Sequence, residues 1–383
     1  QNKIVIFLFI SPFISNFAVV FTAMTIQELQ QLCAKSPKVA ALAKAVGNVR
    51  IRNIFLDGLL ASSAPLAFAA LEDKAPATIL FILNDADEAG YFYHDLTQVL
   101  GEGRVLFFPS SYKRAVKYGQ RDAASEILRT ETLASLHAKS SNSETKRLLY
   151  IVSYPDAVAE LVVSREKLDD RTLSLNNGET IDPTEVVRTL REYGFNEVDY
   201  VYEPGQFARR GSILDVFSYS SEYPFRIDFF GDDIDSIRTF EVETQLSRDK
   251  REHVEIVPEL SAGEAGKVPV LDFLPEDSIV AMRDLQYVCD TVTRIYDEGF
   301  SSQAVTEKLE SSTEMERSEI MRQMNRDSQL VGGEAFKHRL LDFRTVEFGH
   351  RPVHTSEAII HFRVSPQPLF HKNFDLIRQT LED

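Results

Sequence analysis

A chain of 383 residues with 44% apolar side chains can bury more than one core, and its length predicts two or three domains. Its formal net charge of −16 argues against a free-standing nucleic-acid binder, because a polyanion is held chiefly by a Lys/Arg-rich surface that releases counterions. Two cysteines, Cys33 and Cys289, stand without a CxxC or Cys/His spacing, so neither a disulfide framework nor a structural zinc site is encoded.

At the amino terminus, Lys3 precedes IVIFLFISPFISNFAVVFTA, which has the basic start, apolar run and small-residue end of a secretory signal. Met24 then opens TIQELQQLCAKSPKVAALAKAV, where Thr25 and Glu28 form a capping box ahead of an amphipathic helix. Residues 1–23 are therefore expected to be a non-native start or a signal-like segment, and a cytoplasmic setting is expected for the rest. A secreted binding protein is the alternative that this segment alone suggests.

From 24 to 154 the pattern is α/β. The strand IRNIFL leads into the helix ASSAPLAFAALEDK, with Ser62 or Ser63 as its cap and Pro65 in its first turn. The strand ATILFIL, the helix NDADEAGYFYHDLTQVL and the strand RVLFFP follow; residues 119–138 are helical and KRLLYIVSY is a further strand. Strand–helix–strand succession implies a parallel sheet with right-handed crossovers. Within it, Tyr112-Lys113-Arg114, Lys117-Tyr118 and Arg121 mix bases with aromatics, a composition that suits a nucleic-acid backbone, an intramolecular contact or a solvated loop.

Residues 155–248 change character and turn acidic, with 10 Lys/Arg against 20 Asp/Glu. A short helix DAVAELV, a polar strand RTLSLNNGE and the helix DPTEVVRTLREYG lead into antiparallel strands. VDYVYEPGQFARRGSILDVFS predicts a hairpin turning at Pro204-Gly205, and PFRIDFFGDDIDSIRTFEVETQ a second turning through Gly231-Asp232-Asp233. This segment is α+β. From 249 to 383 the chain returns to α/β, with the strand SIVAMRD, the helix LQYVCDTVTRIYDEGFSS, a polar helix over 306–326, the strand EAIIHFRVS and a Pro-bearing loop SPQPLFHKNF.

No catalytic residue emerges. Where an ATPase would carry GxxxxGK[ST], the chain reads Gly58-Leu59-Leu60-Ala61-Ser62-Ser63-Ala64-Pro65. Gly58 matches, but Ser63, Ala64 and Pro65 stand where glycine, the phosphate-neutralising lysine and the magnesium-binding hydroxyl are needed. No nucleotide, metal or other cofactor is therefore expected. His350 and His354 are separated by Pro352 and lack the acidic partner of a zincin site, and Asp232-Asp233-Ile234-Asp235 lacks the remaining ligands of a calcium loop.

The stretch RRGSILDVFSYSSEYPFRIDFFGDDIDSIRTFEVETQ resembles the transcription-repair coupling factors and, more distantly, the nucleotide-excision-repair protein UvrB. The resemblance implies a degenerate helicase-like parallel sheet in two parts: residues 24–154 as a UvrB-like domain 1A and 249–383 as domain 1B, with 155–248 as an inserted UvrA-binding module. It further implies a non-catalytic adaptor that recruits UvrA. The domains that contact RNA polymerase and DNA lie further along the family's longer chain, and no membrane contact is implied. An active UvrB-like helicase or damage-verification ATPase is the competing reading, which the residues at 63–65 oppose.

In the family, basic and acidic residues of this surface meet the partner. Arg210 matches the Arg-Gly pair, Phe217 ends the strand behind it, and Arg226 with Asp228 opens the next strand; Arg209 and Phe230 complete the expected contact set. Where relatives carry an arginine after the Gly-aromatic pair, this chain has Asn196, for which Arg209 or Arg191 could substitute. Strand alternation places Phe225, Ile227 and Phe229 on one face and Arg226, Asp228 and Phe230 on the other. Whether Ile213, Asp215 and Phe217 share a side depends on whether Gly211 bulges. A solvated pair between Arg226 and Asp228 is the purely structural alternative.

Overall fold

The structure is a computed structural model and describes residues 25–71, 78–101, 103–111, 123–141, 148–258, 260, 267–298, 329–349, 351–352 and 355–364. The signal-like segment, the basic cluster from Tyr112 to Arg121, the expected polar helix 306–326, His350, His354 and the loop SPQPLFHKNF lie outside the described residues.

The capping box forms: Thr25 Oγ1 accepts from Glu28 N at 3.2 Å and Glu28 Oε2 accepts from Thr25 N at 2.7 Å, which starts α1 (Ile26–Ala34). Next come α2 (Pro37–Gly47), β1 (Asn53–Asp57), α3 (Ser63–Ala69), β2 (Ile79–Ile82), α4 (Ala86–Leu100), β3 (Val105–Phe107), α5 (Ala123–Ser141), β4 (Tyr150–Ser153) and α6 (Pro155–Val158). The middle of the chain contributes β5 (Leu161–Val163), α7 (Arg165–Asp170), β6 (Leu173–Asn176), α8 (Pro183–Glu192) and β7 (Asn196–Glu197). The strands β8 (Gln206–Arg210), β9 (Ile213–Val216), β10 (Phe225–Phe230), β11 (Asp233–Phe240), β12 (Ser247–Arg251), β13 (His253–Ile256) and β14 (Lys267–Pro269) follow. The last described part holds β15 (Ile279–Met282), α9 (Leu285–Glu298), α10 (Gly333–Leu340), β16 (Arg344–Glu347) and β17 (Ala358–His361).

The two outer segments build one seven-stranded parallel sheet, in the order β17-β1-β16-β15-β2-β4-β3. Strands β2, β4 and β15 are buried at every position, as a parallel sheet covered on both faces requires. The segments interleave: β15 lies between β2 and β16, with Ile79 opposite Ile279 and Val280 opposite Thr345. Aromatic rings tie them together, since Phe68 meets Phe81 edge-on at 4.8 Å and Phe348 at 5.6 Å between centroids. Tyr150 donates its hydroxyl to Phe68 O at 2.8 Å across the same core. Cys289 is buried here, which pushes its thiol up to about 11 and leaves it an inert packing group.

The chain leaves this body and returns to it through an antiparallel ribbon of β5 with β14. That pairing explains why the helix expected over DAVAELV stops at Val158, its apolar end being taken up as strand. Between the ribbon's arms lies a six-stranded sheet, β12-β11-β10-β9-β8-β7, and a two-stranded one, β13-β6. Its core is a separate cluster that includes Leu175, Val186, Leu190, Phe207, Leu214, Ile227, Ile237 and Ile256. Ala157, Val158, Val162, Val163 and Leu168 instead pack into the core of the body. The packed module thus runs from about Leu173 to Ile256, later at both ends than the expected 155–248. The apolar stem belongs to the body, and the exposed strand β12 gives little hydrophobic signal.

Where the ribbon joins the body, the buried Glu160 carboxylate accepts from Ser110 Oγ at 2.6 Å, Ser111 N at 3.0 and 3.1 Å and Ser111 Oγ at 2.6 Å. Arg129 approaches it at 3.4 Å and donates to Pro109 O at 2.8 Å. Removing the carboxylate leaves the buried Arg129 guanidinium and the serine donors without their acceptor, so Glu160→Ala is expected to cost about 3–5 kcal/mol, read as a fall in the urea midpoint at unchanged slope. On α5, desolvation raises the Glu131 carboxyl above its ordinary 4.5, with the Glu222 carboxylate of the module adding to the effect. A raised folded-state pKa means that this stability is fully present below the ordinary value and lost as pH rises through the shifted one. Glu131→Gln is therefore expected to raise the melting temperature at pH 8 and leave it nearly unchanged at pH 4, as differential scanning calorimetry would measure.

Candidate protein-recognition face

The module's sheet has one face packed and one face open to side-chain chemistry. Helix α8, started by Asp182 and Pro183, lays Val186, Val187 and Leu190 on Phe207, Leu214, Val216, Phe225, Ile227 and Phe229. The opposite face carries Ala208, Arg210, Asp215, Arg226, Asp228 and Arg238, as the register dictates. No helix covers it. A strap formed by residues 198–203 crosses instead, seating Val201 against Ala208, Phe217 and Phe240.

The hairpin that makes this face turns at Gly211-Ser212 rather than at Pro204-Gly205. Arg210 is paired with Ile213, leaving a two-residue loop whose Gly211 has φ of 63°, and β7 runs parallel to β8. Only that turn lets Phe207, Leu214 and Val216 enter the core together. Gly211 introduces no bulge, so Ile213 and Asp215 share the open face. The second hairpin turns at Gly231-Asp232, with Phe230 opposite Asp233.

Asp215 is the centre of the open face. Its side chain is 0% exposed, and Arg226 donates Nε to Oδ1 at 2.7 Å and Nη2 to Oδ2 at 2.9 Å. This two-pronged bond is the geometry in which guanidinium and carboxylate pair most strongly, and it holds the Arg226 guanidinium above the ordinary arginine value. Arg226 also donates to Gln245 O at 3.0 Å and lies 4.4 Å from the Phe240 ring centre. Arg210 bonds Asp215 Oδ2 from the other side, donates to Asp199 O at 3.1 Å and stacks on Tyr200 at 4.9 Å. The Arg226–Asp228 pair, the purely structural alternative, does not form: Asp228 accepts from Ser212 Oγ at 3.1 Å and lies 3.8 Å from Arg238.

The expected contact residues therefore separate into several roles. Arg226 is 15% exposed and Arg210 35%, so both are partly spent inside the module. Phe217, expected at the contact, is only 6% exposed and is packed under the strap, because its strand delivers it to the small core beside Phe240. Arg209 projects to the helix-bearing face, where it lines a cleft with Pro183, Val187, Ser212, Phe229 and Gly231. Phe230 is 81% exposed at the hairpin tip. Asn196 is also exposed, and Arg191, suggested as its substitute, is paired with Glu197 at 2.6 Å. The strap residues Tyr200 and Tyr202, exposed by 52% and 61%, went unnoticed in the sequence, where only their alternation with the buried Val201 could have marked them.

At the first sheet, Gly58 has φ of 80°, and a Cβ there would stand 2.4 Å from Phe362 O. Phe362 N donates to Asp57 O at 2.7 Å, so the chain after β17 closes over the loop. Ser63 Oγ bonds Leu60 N and O, and Ala64 and Pro65 are buried at the start of α3. Among the described residues no cluster of His, Cys, Asp and Glu could hold a metal ion.

Residues 173–261 match the family profile described as the UvrB interaction domain. The chain contains a UvrB interaction domain and is related to the transcription-repair-coupling factors. The factor of Bacillus subtilis (strain 168) is 27% identical over 208 residues, 54% of this chain and 17% of that protein. That of Haemophilus influenzae is 26% identical over 203 residues, 53% and 17%. The Escherichia coli (strain K12) factor is 36% identical over 91 residues, 24% and 8%. The matched region thus spans about a sixth or less of these curated relatives. The limits of the UvrB interaction domain coincide closely with the packed module from Leu173 to Ile256.

Asp215→Ala removes the anion on which two guanidiniums close. It is expected to destabilise the module by roughly 3 kcal/mol, read as accelerated hydrogen exchange in β8, β9 and β10 with little change in β2 and β15.

Proposed function

We propose that this chain acts as a non-catalytic adaptor that recruits UvrA for transcription-coupled nucleotide excision repair, using the helix-free face of its UvrB interaction domain. The observation that carries the proposal is the coincidence of that domain with a face bearing fixed guanidiniums beside the exposed Phe230 and Tyr200. Arginine and aromatic groups are the usual energetic centres of protein interfaces. Contacts with RNA polymerase and DNA are assigned to parts of the coupling factor that the matched region does not include. No helix among the described residues is long and apolar enough to cross a membrane, and a cytoplasmic site of action goes with the proposed role.

Catalysis at the Gly58 loop is not part of the proposal. The buried Ala64 and Pro65 offer neither a lysine to a terminal phosphate nor a hydroxyl to magnesium, and Phe362 lies against Gly58. Titration calorimetry with ATP and magnesium should give no saturable heat; tight binding would restore the ATPase alternative.

Titration of the purified chain with UvrA tests recruitment directly. Phe230→Ala is expected to weaken binding by about 2 kcal/mol without altering the melting temperature, because the ring is exposed in the free module. Arg226→Ala should lower both affinity and stability. Unchanged affinity in both variants would dismiss this face.

A further inference from the structure

Strands β8 to β12 align Ala208, Asp215, Arg226, Arg238 and Lys250 in one cross-strand row on the helix-free face. Three cations on adjacent strands face one carboxylate. Like charges placed directly opposite destabilise a sheet, and here Asp215 compensates Arg226 and Arg210 but lies two strands from Arg238. Arg238 Nε is buried with no hydrogen-bond partner; its Nη2 donates to Ser236 Oγ at 3.2 Å and lies 3.8 Å from Asp228. Lys250 is exposed on the edge strand, and its ammonium makes no hydrogen bond or ion pair to any described residue. The nearby Arg248 is already engaged with Glu241 at 2.7 Å. In a chain of net charge −16, this row is locally reversed in sign and incompletely compensated.

We infer that the row is the docking track for an acidic segment of the partner protein, whose carboxylates meet Arg238 and Lys250 while its apolar side chains reach Phe230 and the strap tyrosines. The row extends the recognition face across β11 to the sheet edge, beyond every residue singled out from the sequence. Neighbouring strands lie about 4.8 Å apart, so carboxylates on one extended segment can engage successive cations. A nucleic acid fits less well, because Asp228, Glu241 and the tip residues Asp232, Asp233 and Asp235 flank the row and would repel a continuous run of phosphates. An acidic protein segment can place its carboxylates locally and leave the flanks uncharged.

The inference rests on the proposed recruitment of UvrA, and its test separates the two. UvrA is titrated against the full chain carrying no change, Lys250→Glu, Arg238→Gln or Arg251→Glu; Arg251 is the exposed control opposite the buried Ile237, on the other face of the same strand. Lys250→Glu is expected to weaken binding about tenfold and to flatten its salt dependence, with Arg238→Gln similar in direction and Arg251→Glu close to the unchanged chain. Equal effects of Lys250→Glu and Arg251→Glu, or none, overturn the track while leaving recruitment standing. If the unchanged chain does not bind UvrA, recruitment fails, and the track is read with a decaglutamate peptide through the Arg238 Nε–H resonance. Perturbation there but not at Arg188, which lies on α8 and pairs with Glu185 at 2.7 Å, upholds it; no perturbation, or stronger binding of oligothymidylate than of the peptide, overturns it.

Discussion

The pairing of Ile79–Ile82 with Ile279–Met282 is the constraint from which the rest of the architecture follows. A strand from late in the chain sits at the middle of a sheet begun near its start, so the intervening residues must leave the sheet after Ser153 and return beside it. Their two ends are consequently close in space, and Leu161–Val163 and Lys267–Pro269 close the exit as an antiparallel ribbon. The buried Glu160 network pins that ribbon to the loop after β3. A self-contained module can then fold between the arms without interrupting the parallel sheet. It has its own core, and its proposed recognition face is kept apart from the packing of the body.

Within the module a second buried anion sets the geometry of the open face. Asp215 orients Arg226 in two-pronged fashion and draws in Arg210, and the strap places Tyr200 over that second guanidinium. Orienting the arginines before binding reduces the ordering cost of association, which is how a small polar face can contribute usefully to affinity. The same arrangement makes each arginine a structural member as well as a candidate contact. Phe230 is different, since its exposed ring supports little of the fold. In the proposed role, stability and recognition are therefore separable at Phe230 and entangled at Arg226.

Much of the fold was legible because the signals were local. Alternation in PFRIDFF assigned Phe225, Ile227 and Phe229 to the core and Arg226, Asp228 and Phe230 to the other face, and Thr25 with Glu28 marked the first helix. The short β16 gives no alternation signal, because Val346 is its one apolar residue between Arg344-Thr345 and Glu347, and β12 gives none because every residue in it is exposed. In local sequence Pro204-Gly205 is the stronger turn signal. The actual turn at Gly211-Ser212 was selected by the need to bury Phe207, Leu214 and Val216 on one side.

The sequence by itself determined the fold class, the residues Gly58 to Pro65 that depart from a phosphate-loop pattern and the segment that resembles the coupling factors, since propensity, alternation and motif chemistry reside in neighbouring residues. Tertiary structure alone decided which groups remain available. It buried Phe217, turned Arg209 to the opposite face, spent most of Arg226 on Asp215 and set Arg238 and Lys250 side by side from residues twelve apart. These outcomes depend on strand register and on the competition of several cations for one buried carboxylate, and both are fixed only when distant segments pack.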